Sequence, residues 1–540
     1  MPSDYLWWRD GVIYQIYPRS FADSNGDGLG DLPGLTARLD YLKALGVDAL
    51  WLSPIYPSPM RDFGYDVSDY ENIDSAFGTL ADFDELVNAA HARGLHIVMD
   101  FVVNHSSDEH AWFRESRASR DNPKRDWYLW RDPQPDELRH ARGRVPNNWQ
   151  AVFGGQAWEW DEHTRQYYYH MFLKEQPDLN WRNSELRAAV FQSIKFWLDR
   201  GVDGFRLDVV NAYFKDAQLR DNPPALGLRP YDRQRHLYDC DQPELIGVYQ
   251  ELRRLLDAYP ERMAVGEIMG ANPDLIARYC GEDKLHLASD FHLLHQPWFP
   301  RAIQNALARS ELTARPDLQP CYALSNHDVD RHATRYGGGP HSDARAKVAA
   351  TLLLTTRATP FLYYGEELGM QNTPIPRAEI QDPPGKRYWP FYSGRDPERT
   401  PMPWSAEVHA GFTTSQPWLR LNADYLKRNV AAQSAAPNSV LNFYTQLLQL
   451  RRESLALRRG SYRALIQRPI TALAYLRRVP EQALLIALNF FAWETKVTLA
   501  EPLPSARWKL RLTTAPGERR RLEDQQLTLA PFEACILEAE

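Results

Sequence analysis

Eight short apolar runs punctuate residues 11–367, and between them lie longer segments whose apolar residues recur at mixed spacings of three and four. The runs are GVIYQIYP from Gly11, VDALWLSP from Val47, LHIVMDFVVNH from Leu95, VDGFRLDVV from Val202, AVGEI from Ala264, LHLASDFH from Leu285, CYALSNHD from Cys321 and TPFLYYGEE from Thr359. Strand-like runs alternating with helical patterns predict a parallel sheet with crossover helices. Eight of them predict a closed (β/α)8 TIM barrel in the α/β class. Between runs, LTARLDYLKALG from Leu35 and LADFDELVNAAHARG from Leu80 each predict a helix ended by glycine.

The alternation breaks twice. Residues 105–179 are rich in Trp, Tyr, Asn and Pro, as in NNWQAVFGGQAWEWDEHTRQYYYHMF. A structureless loop of that length is improbable in a compact domain, so a subdomain inserted after the third strand is expected. From residue 459 the pattern turns to short alternating β runs such as LLIALNFF, which predict a C-terminal antiparallel β-sandwich. The expected organisation is a barrel of residues 1–104 and 180–458, an insert of 105–179 and a β domain of 459–540.

Composition narrows the function classes. With 540 residues and 44% hydrophobic content the chain can bury a large core, and about 150 residues per domain predicts two to four domains. A formal net charge of -7 with no long basic run excludes the electrostatic footprint of a nucleic-acid binder. The basic cluster KLRLTTAPGERRR from Lys509 reads as a solvated strand and turn. The first residues, MPSDYLWWRDGVIYQIYP, lack a basic segment followed by an apolar one. No run of about 18 apolar residues occurs, so a cytoplasmic protein without a membrane partner is expected. Cys240, Cys280, Cys321 and Cys535 form no CxxC pair, which predicts buried free thiols in a reducing compartment.

Candidate chemistry sits where three of the runs give way to loops, at Asp208, Glu267 and Asp328. A parallel barrel would bring these strand ends to one face, where such folds keep their active sites. In GFRLDVV, Arg206 and Asp208 share a face, and an adjacent positive charge favours an ionised carboxylate. Glu267 follows an apolar strand and Gly266, where burial would raise its pKa toward the range of a general acid. Asp328, after His327, could equally cap a helix. Each motif alone reads more readily as structural; their order along successive strand ends points to a site. Paired carboxyl groups are the equipment of glycoside hydrolysis, and a separation of about 5 to 5.5 Å implies retention through a covalent intermediate.

From VIYQIYPRSFADSNGDGLGDLPG through DFVVNHSSDEHAWF, QPDLNW, GFRLDVVN, VGEI and SNHD to GRDPERTPMPW, nearly the whole chain resembles glycoside hydrolase family 13, the α-amylase superfamily. Within it the chain is similar to the bacterial α-glucosidases and oligo-1,6-glucosidases. The resemblance implies Asp208 as nucleophile, Glu267 as acid/base, and Asp328 as the carboxylate that binds sugar hydroxyls. It also implies a pocket for the terminal glucose lined by Asp62, Tyr65, His105, Arg206, His327 and Arg399. Tyr65 offers an aromatic face to the sugar, as Phe153 and Phe172 would unless they serve packing alone. Asp100 and Asn104 are expected to brace the site.

In DSNGDGLGD the side chains of Asp23, Asn25, Asp27 and Asp31 alternate around glycines, like the start of an EF-hand loop, although the twelfth position is Gly34. The resemblance implies a structural Ca2+ or Mg2+ held by these four side chains and the Leu29 carbonyl, and no organic cofactor. The implied substrates are short α-glucosides of the maltose or isomaltose type, cut one glucose at a time. Val209, directly after the nucleophile, is a cue for α-1,6 linkages, whereas the long segment from Gln218 resembles loops of enzymes acting on α-1,4 substrates. A glucosyl transferase or isomerase with the same intermediate, and a non-catalytic binding subunit, are the alternative readings. Oligomeric state, monomer or dimer, stays open at this stage.

Overall fold

The computed structural model describes residues 5–135, 143–270, 273–289, 291–312, 315, 318–466, 470–515, 522 and 524–540. The eight apolar runs become eight strands: β1 (Ile13–Ile16), β2 (Ala49–Leu52), β3 (His96–Phe101), β4 (Gly204–Leu207), β5 (Met263–Gly266), β6 (Leu287–Ala288), β7 (Cys321–Ala323) and β8 (Thr359–Tyr363). Residue 290, within the sixth run, lies outside the described residues. The strands pair in parallel in the order β7-β8-β1-β2-β3-β4-β5-β6, and a parallel bridge between Ser289 and Cys321 joins the two edges into a ring. The expected barrel is present. Its strands read as near-continuous apolar runs because both faces are covered. Ile13, Ala49, Trp51, Val98, Val265, Leu287 and Phe361 form a core inside the ring. Their neighbours Tyr14, Leu50, Ile97, Phe205 and Ala264 face outward into the larger core shared with the helices.

The helix predicted over Leu80–Gly94 forms as Leu80–Ala92, started by a reciprocal capping box between Thr79 and Asp82. The one predicted from Leu35 does not form in one piece. Two helices, Leu32–Thr36 and Leu39–Leu45, meet at Arg38, which leaves helical geometry at φ -103°, ψ 4°. Its guanidinium lies 4.3 Å over the Trp404 ring, a contact with a remote segment that the local apolar spacing does not encode.

Between β3 and β4 the chain builds a small antiparallel sheet in the order Trp130–Arg131, Gln166–Tyr169, Trp158–Asp161. His105 pairs with Asp178, and Tyr128 with Leu179, so the two ends of the insert meet. The long segment after β4 has little regular structure of its own. It lies against the insert: Asn147 Nδ2 donates to Leu219 O at 3.1 Å, the Asn148 amide to Asp221 Oδ1 at 2.9 Å and Trp149 Nε1 to Arg220 O at 3.0 Å.

From Ser461 onward a five-stranded antiparallel sheet and a two-stranded one enclose Leu476, Leu485, Val497, Leu527 and Leu537. Lys509 opens the basic cluster inside the strand Trp508–Thr513, while residues 516–521 of that cluster lie outside the described residues. All four cysteines are buried and none is in a disulfide. Among the described residues no helix is long and apolar enough to cross a membrane.

Two buried arginines hold the turn that leads into β8. Arg451 donates to Leu354 O at 2.8 Å, Thr356 O at 3.1 Å and Ala358 O at 2.7 Å. Arg477, from the C-terminal domain, donates to Thr355 O and, at 2.8 Å, to Gly460 O. Burial pulls their pKa values down, to about 10 for Arg451 and about 9 for Arg477. Arg451→Ala removes the donor to these three carbonyls and to Leu457 O at 3.3 Å, so it is expected to cost roughly 3 kcal/mol. The loss should read as a lower urea midpoint at unchanged slope.

Candidate active site

Strand register sets the base of the site. Asp100 on β3 and Arg206 on β4 are cross-strand partners, on the strand face that points into the barrel. Arg206 Nη1 lies 2.9 Å from Asp100 Oδ1 and 2.7 Å from Asp208 Oδ1, and Nη2 pairs with Glu267 Oε2. The ends of β4 and β5 are tied by the Glu267 amide donating to Leu207 O and the Val210 amide to Glu267 O, both at 2.9 Å. Val209, between them, adopts φ 37°. A β-branched residue pays about 1–3 kcal/mol of strain for a left-handed conformation, and such strain persists where the surroundings over-determine it.

A second layer orients this charge cluster. The Tyr65 hydroxyl donates to Asp100 Oδ2 at 2.9 Å and lies 2.5 Å from His327 Nε2. The two rings stack at 5.3 Å with 4° between their planes. Gln15 Nε2 donates to His327 Nδ1 at 2.8 Å, which leaves the Nε2 proton directed at the Tyr65 oxygen. Burial drives the His327 pKa down to about 3, so the ring stays neutral and acts as a fixed donor. His105 is also held neutral by burial; its Nε2 donates to Tyr65 O at 3.0 Å while Nδ1 faces the Asn104 amide at 3.2 Å.

The third carboxylate has its own cations. Arg399 Nη2 reaches Asp328 Oδ1 at 2.8 Å and Arg395 Nη1 reaches it at 3.1 Å. Arg395 Nη2 also binds Asp62 Oδ1 at 2.6 Å and Asp382 Oδ1 at 2.7 Å. Burial alone would raise the Asp328 pKa, but His327 and the two guanidinium groups outweigh it and hold the carboxyl well below its ordinary range.

The carboxyls around Arg206 behave differently. Burial, only partly offset by Arg206, pushes Asp208 up to about 6 and Asp100 likewise to about 6. Glu267 goes further, to about 8: burial again leads, Arg206 opposes it, and the Asp208 charge with a hydrogen bond between the two carboxyl groups adds to it. The pair therefore enters neutral solution with one carboxylate and one acid. Beside Arg206 alone Asp208 would be depressed; burial outweighs that cation, and the nearby charges of Asp100 and Asp328 add to the upward shift.

These groups open into a cavity of about 220 Å³ lined by Asp62, Tyr65, His105, Asp208, Glu267, Asp328 and Arg395 together with Val152, Phe153, Phe172, Val209 and Met269. Val152, Phe172, Val209 and Met269 belong to one apolar cluster of the insert and the β4 and β5 loops; Phe153 packs on Phe172 at 5.6 Å between ring centroids. Arg206, His327 and Arg399 sit behind this wall, at most 3% exposed. Asn104 is buried too, donating to Asp178 Oδ2 at 2.9 Å and accepting from Lys215 Nζ at 3.1 Å, which braces the insert against the barrel. Sequence reasoning missed Arg395 and Gln176, which donates to Asp62 Oδ2 at 3.1 Å. Both stood inside quoted motifs, GRDPERTPMPW and QPDLNW, and the paired arginines four residues apart were the available signal.

The five residues of the expected metal loop lie away from this cavity's wall. Asp23 accepts from the amides of Asn25, Gly26 and Gly28 at 3.0, 2.7 and 2.8 Å, Asn25 from Asp27 and Asp27 from Leu29. Asp31 caps the helix Leu32–Thr36 through Gly34 at 2.6 Å. Among the described residues no three His, Cys, Asp or Glu side chains converge as a metal cluster, although the oxygen-rich donor set and the left-handed Gly26 and Gly28 suit a hard cation.

Comparison with known proteins gives a consistent picture. The family described as alpha amylase, catalytic domain, matches residues 15–460. A probable alpha-glucosidase of Rhizobium meliloti (strain 1021) is 45% identical over 475 residues, 85% of each chain. An oligo-1,6-glucosidase of Parageobacillus thermoglucosidasius is 40% identical over 517 residues, 90% of each. The solved structure of the alpha-glucosyl transfer enzyme XgtA superposes with a TM-score of 0.93 at 43% identity, covering 99% of this chain and 100% of that one.

The charge sharing around Arg206 is open to direct measurement. Asp208→Asn removes the negative neighbour that raises Glu267, so the Glu267 pKa should fall by about a unit or more. The carbonyl stretch of its protonated form in pH-difference infrared spectra reports the shift.

Proposed function

Because the chain belongs to the alpha-amylase catalytic-domain family, we propose that it is an exo-acting, retaining α-glucosidase that frees glucose from the non-reducing end of short α-glucosides. The observation that carries this reading is the buried Asp208 and Glu267 pair on one guanidinium, the first ionised and the second protonated at neutral pH. Asp208 attacks the anomeric carbon while the bond from that carbon to the leaving oxygen breaks and Glu267 passes its proton to that oxygen. A glucosyl ester on Asp208 results. Glu267, now a carboxylate, takes a proton from water as the water oxygen attacks the same carbon, and the ester bond breaks to return Asp208 and free glucose. Asp328, kept anionic by Arg395 and Arg399, is placed to bind ring hydroxyls and to favour the positive charge of the transition state.

Both carboxyl states are needed at once. Activity should fall as pH drops through about 6, where Asp208 takes a proton, and as it rises through about 8, where Glu267 loses its own. These limbs belong to the pair as a unit.

A second reading, transfer of the glucosyl group from Asp208 to an alcohol or sugar instead of water, is supported by the likeness to an alpha-glucosyl transfer enzyme. Four buried cysteines with no disulfide among them suit a reducing cytoplasm, where we place the enzyme. Glucose release from maltose, isomaltose, sucrose and trehalose, with soluble starch as the polymer control, tests the reading. Release from the disaccharides, first as the α-anomer and along a bell-shaped pH profile, is expected. Isomaltose cleavage would assign linkage choice to Val209, and maltose cleavage alone to the loop after Gln218. Release from starch alone would overturn the exo reading.

We also propose that Asp23, Asn25, Asp27, the Leu29 carbonyl and Asp31 hold a structural Ca2+, or Mg2+ in its place, which would cross-link the turn after β1 without taking part in catalysis. A cation present at about 100 times its Kd stabilises a fold by about 2.7 kcal/mol. Chelation should therefore lower Tm by a few degrees and added Ca2+ should restore it.

A further inference from the structure

We infer that His236 is a pH-sensitive clasp: with a proton on both ring nitrogens it holds the loop after β4 against the insert behind the pocket wall, and it loosens that loop when one proton leaves. This regulates the proposed α-glucosidase site and rests on that reading for its kinetic consequence alone. Both imidazole nitrogens face acceptors. Nδ1 lies 2.8 Å from Asp239 Oδ2 and Nε2 lies 3.0 Å from Tyr231 O. A neutral imidazole has one N–H and one lone pair, so it would turn the lone pair on a carboxylate or on a carbonyl. With Asp239 ionised, only the imidazolium satisfies both. The Tyr231 ring stacks on it with 3.8 Å between centroids and 21° between planes, a contact that favours a cation. Asp239 is fully buried and its Oδ1 has no hydrogen-bond partner, so the carboxylate depends on His236 for its counter-charge.

The clasp closes a segment that backs the pocket. Tyr231 and Tyr238 pack on the apolar cluster that contains Val152, Phe172, Val209 and Met269 of the pocket wall. Gln234 joins the insert, its Nε2 donating to Asn148 O at 2.7 Å and its Oε1 accepting from the Gln150 amide at 3.2 Å. The amides of Leu237 and Tyr238 donate to Asn222 Oδ1 at 3.2 and 3.1 Å. Asp239 and Asp232 are the charges that act on the imidazole. Asp232 is itself paired with Arg229 at 2.8 Å. The insert brings the Tyr169 phenol within reach of the Asp239 charge, and Lys215, paired with Asp178, acts on the neighbouring Cys240. Burial works against the charged ring, but the hydrogen bond and charge of Asp239 outweigh it and set the His236 pKa above its ordinary value. Such a group contributes stability below its unfolded-state pKa and loses it as pH rises through the folded one. The loop is therefore held in acid and loosens on the alkaline side of the ordinary histidine range.

The test uses the full-length enzyme and His236→Gln, which keeps one donor and one acceptor but does not titrate. In spectra of protein labelled with 15N-histidine, the two His236 nitrogens, assigned by their loss in the variant, should deprotonate with a midpoint above 6.5. Hydrogen exchange, corrected for its intrinsic pH dependence, should show protection of the Leu237 and Tyr238 amides falling at least about tenfold from about pH 6 to about pH 9, as expected for one lost charge-assisted hydrogen bond. In His236→Gln protection should be low at both pH values. On maltose at about pH 7 the variant should raise KM at least about threefold with kcat little changed. A midpoint at or below 6.5, or wild-type protection that ignores pH, overturns the clasp. An equal fall of protection in His236→Gln overturns it as well. Loss of protection with KM unchanged overturns the link to the pocket. Failure to cleave maltose or isomaltose at any pH overturns the α-glucosidase reading and leaves the clasp to stand on the spectra and the exchange.

Discussion

A single guanidinium at the bottom of the pocket is shared by three carboxyl groups, and the rest of the site follows from that shortage of positive charge. Arg206 touches Asp100, Asp208 and Glu267. One cation in a water-poor setting cannot keep three neighbours ionised, so a proton has to stay in the cluster. It stays on Glu267, the member with the highest pKa. A few ångströms away the ratio is reversed, with Arg395 and Arg399 converging on Asp328. Acid, nucleophile and permanent anion are thus three carboxyl side chains of similar chemistry, told apart by how many cations each has to itself.

The barrel supplies this allocation through register. Asp100 faces Arg206 because β3 and β4 pair as they do, and a one-residue slip of β4 would turn Arg206 into the outer core. Around that fixed point the remaining contacts come from far away in sequence: Gln15 on β1 orients His327, Tyr65 reaches Asp100, and Arg395 binds Asp62. Backbone ladders set positions at the base, while side chains from long loops finish the wall.

Much of this was legible in the chain, and the part that was not has a common cause. Strands buried on both faces announce themselves as apolar runs, and a carboxyl at the end of such a run has only one face of the barrel to occupy. The broken helix at Arg38 was not legible, because its partner Trp404 is hundreds of residues away. Nor was the part played by Arg395, since a motif names both arginines without saying which reaches Asp62 and which stands behind Asp328. The upward shift of Asp208 escaped for a related reason: local sequence shows the cation at Arg206 but neither the burial that outweighs it nor the charges of Asp100 and Asp328 brought alongside by the fold.

The insert between β3 and β4 leaves and returns at paired residues, with His105 facing Asp178 and Tyr128 facing Leu179. Mechanically it is a closed loop hung from one corner of the ring, so a change of length or shape within it puts no tension on the strands that carry Arg206 and Asp208. His105, Val152, Phe153 and Phe172 of the pocket wall hang from that loop, and the charged base does not. Such a division lets a lineage rework the wall that meets the substrate's far side while the reacting groups stay where they are, a separation of fitting from chemistry that one continuous sheet could not offer.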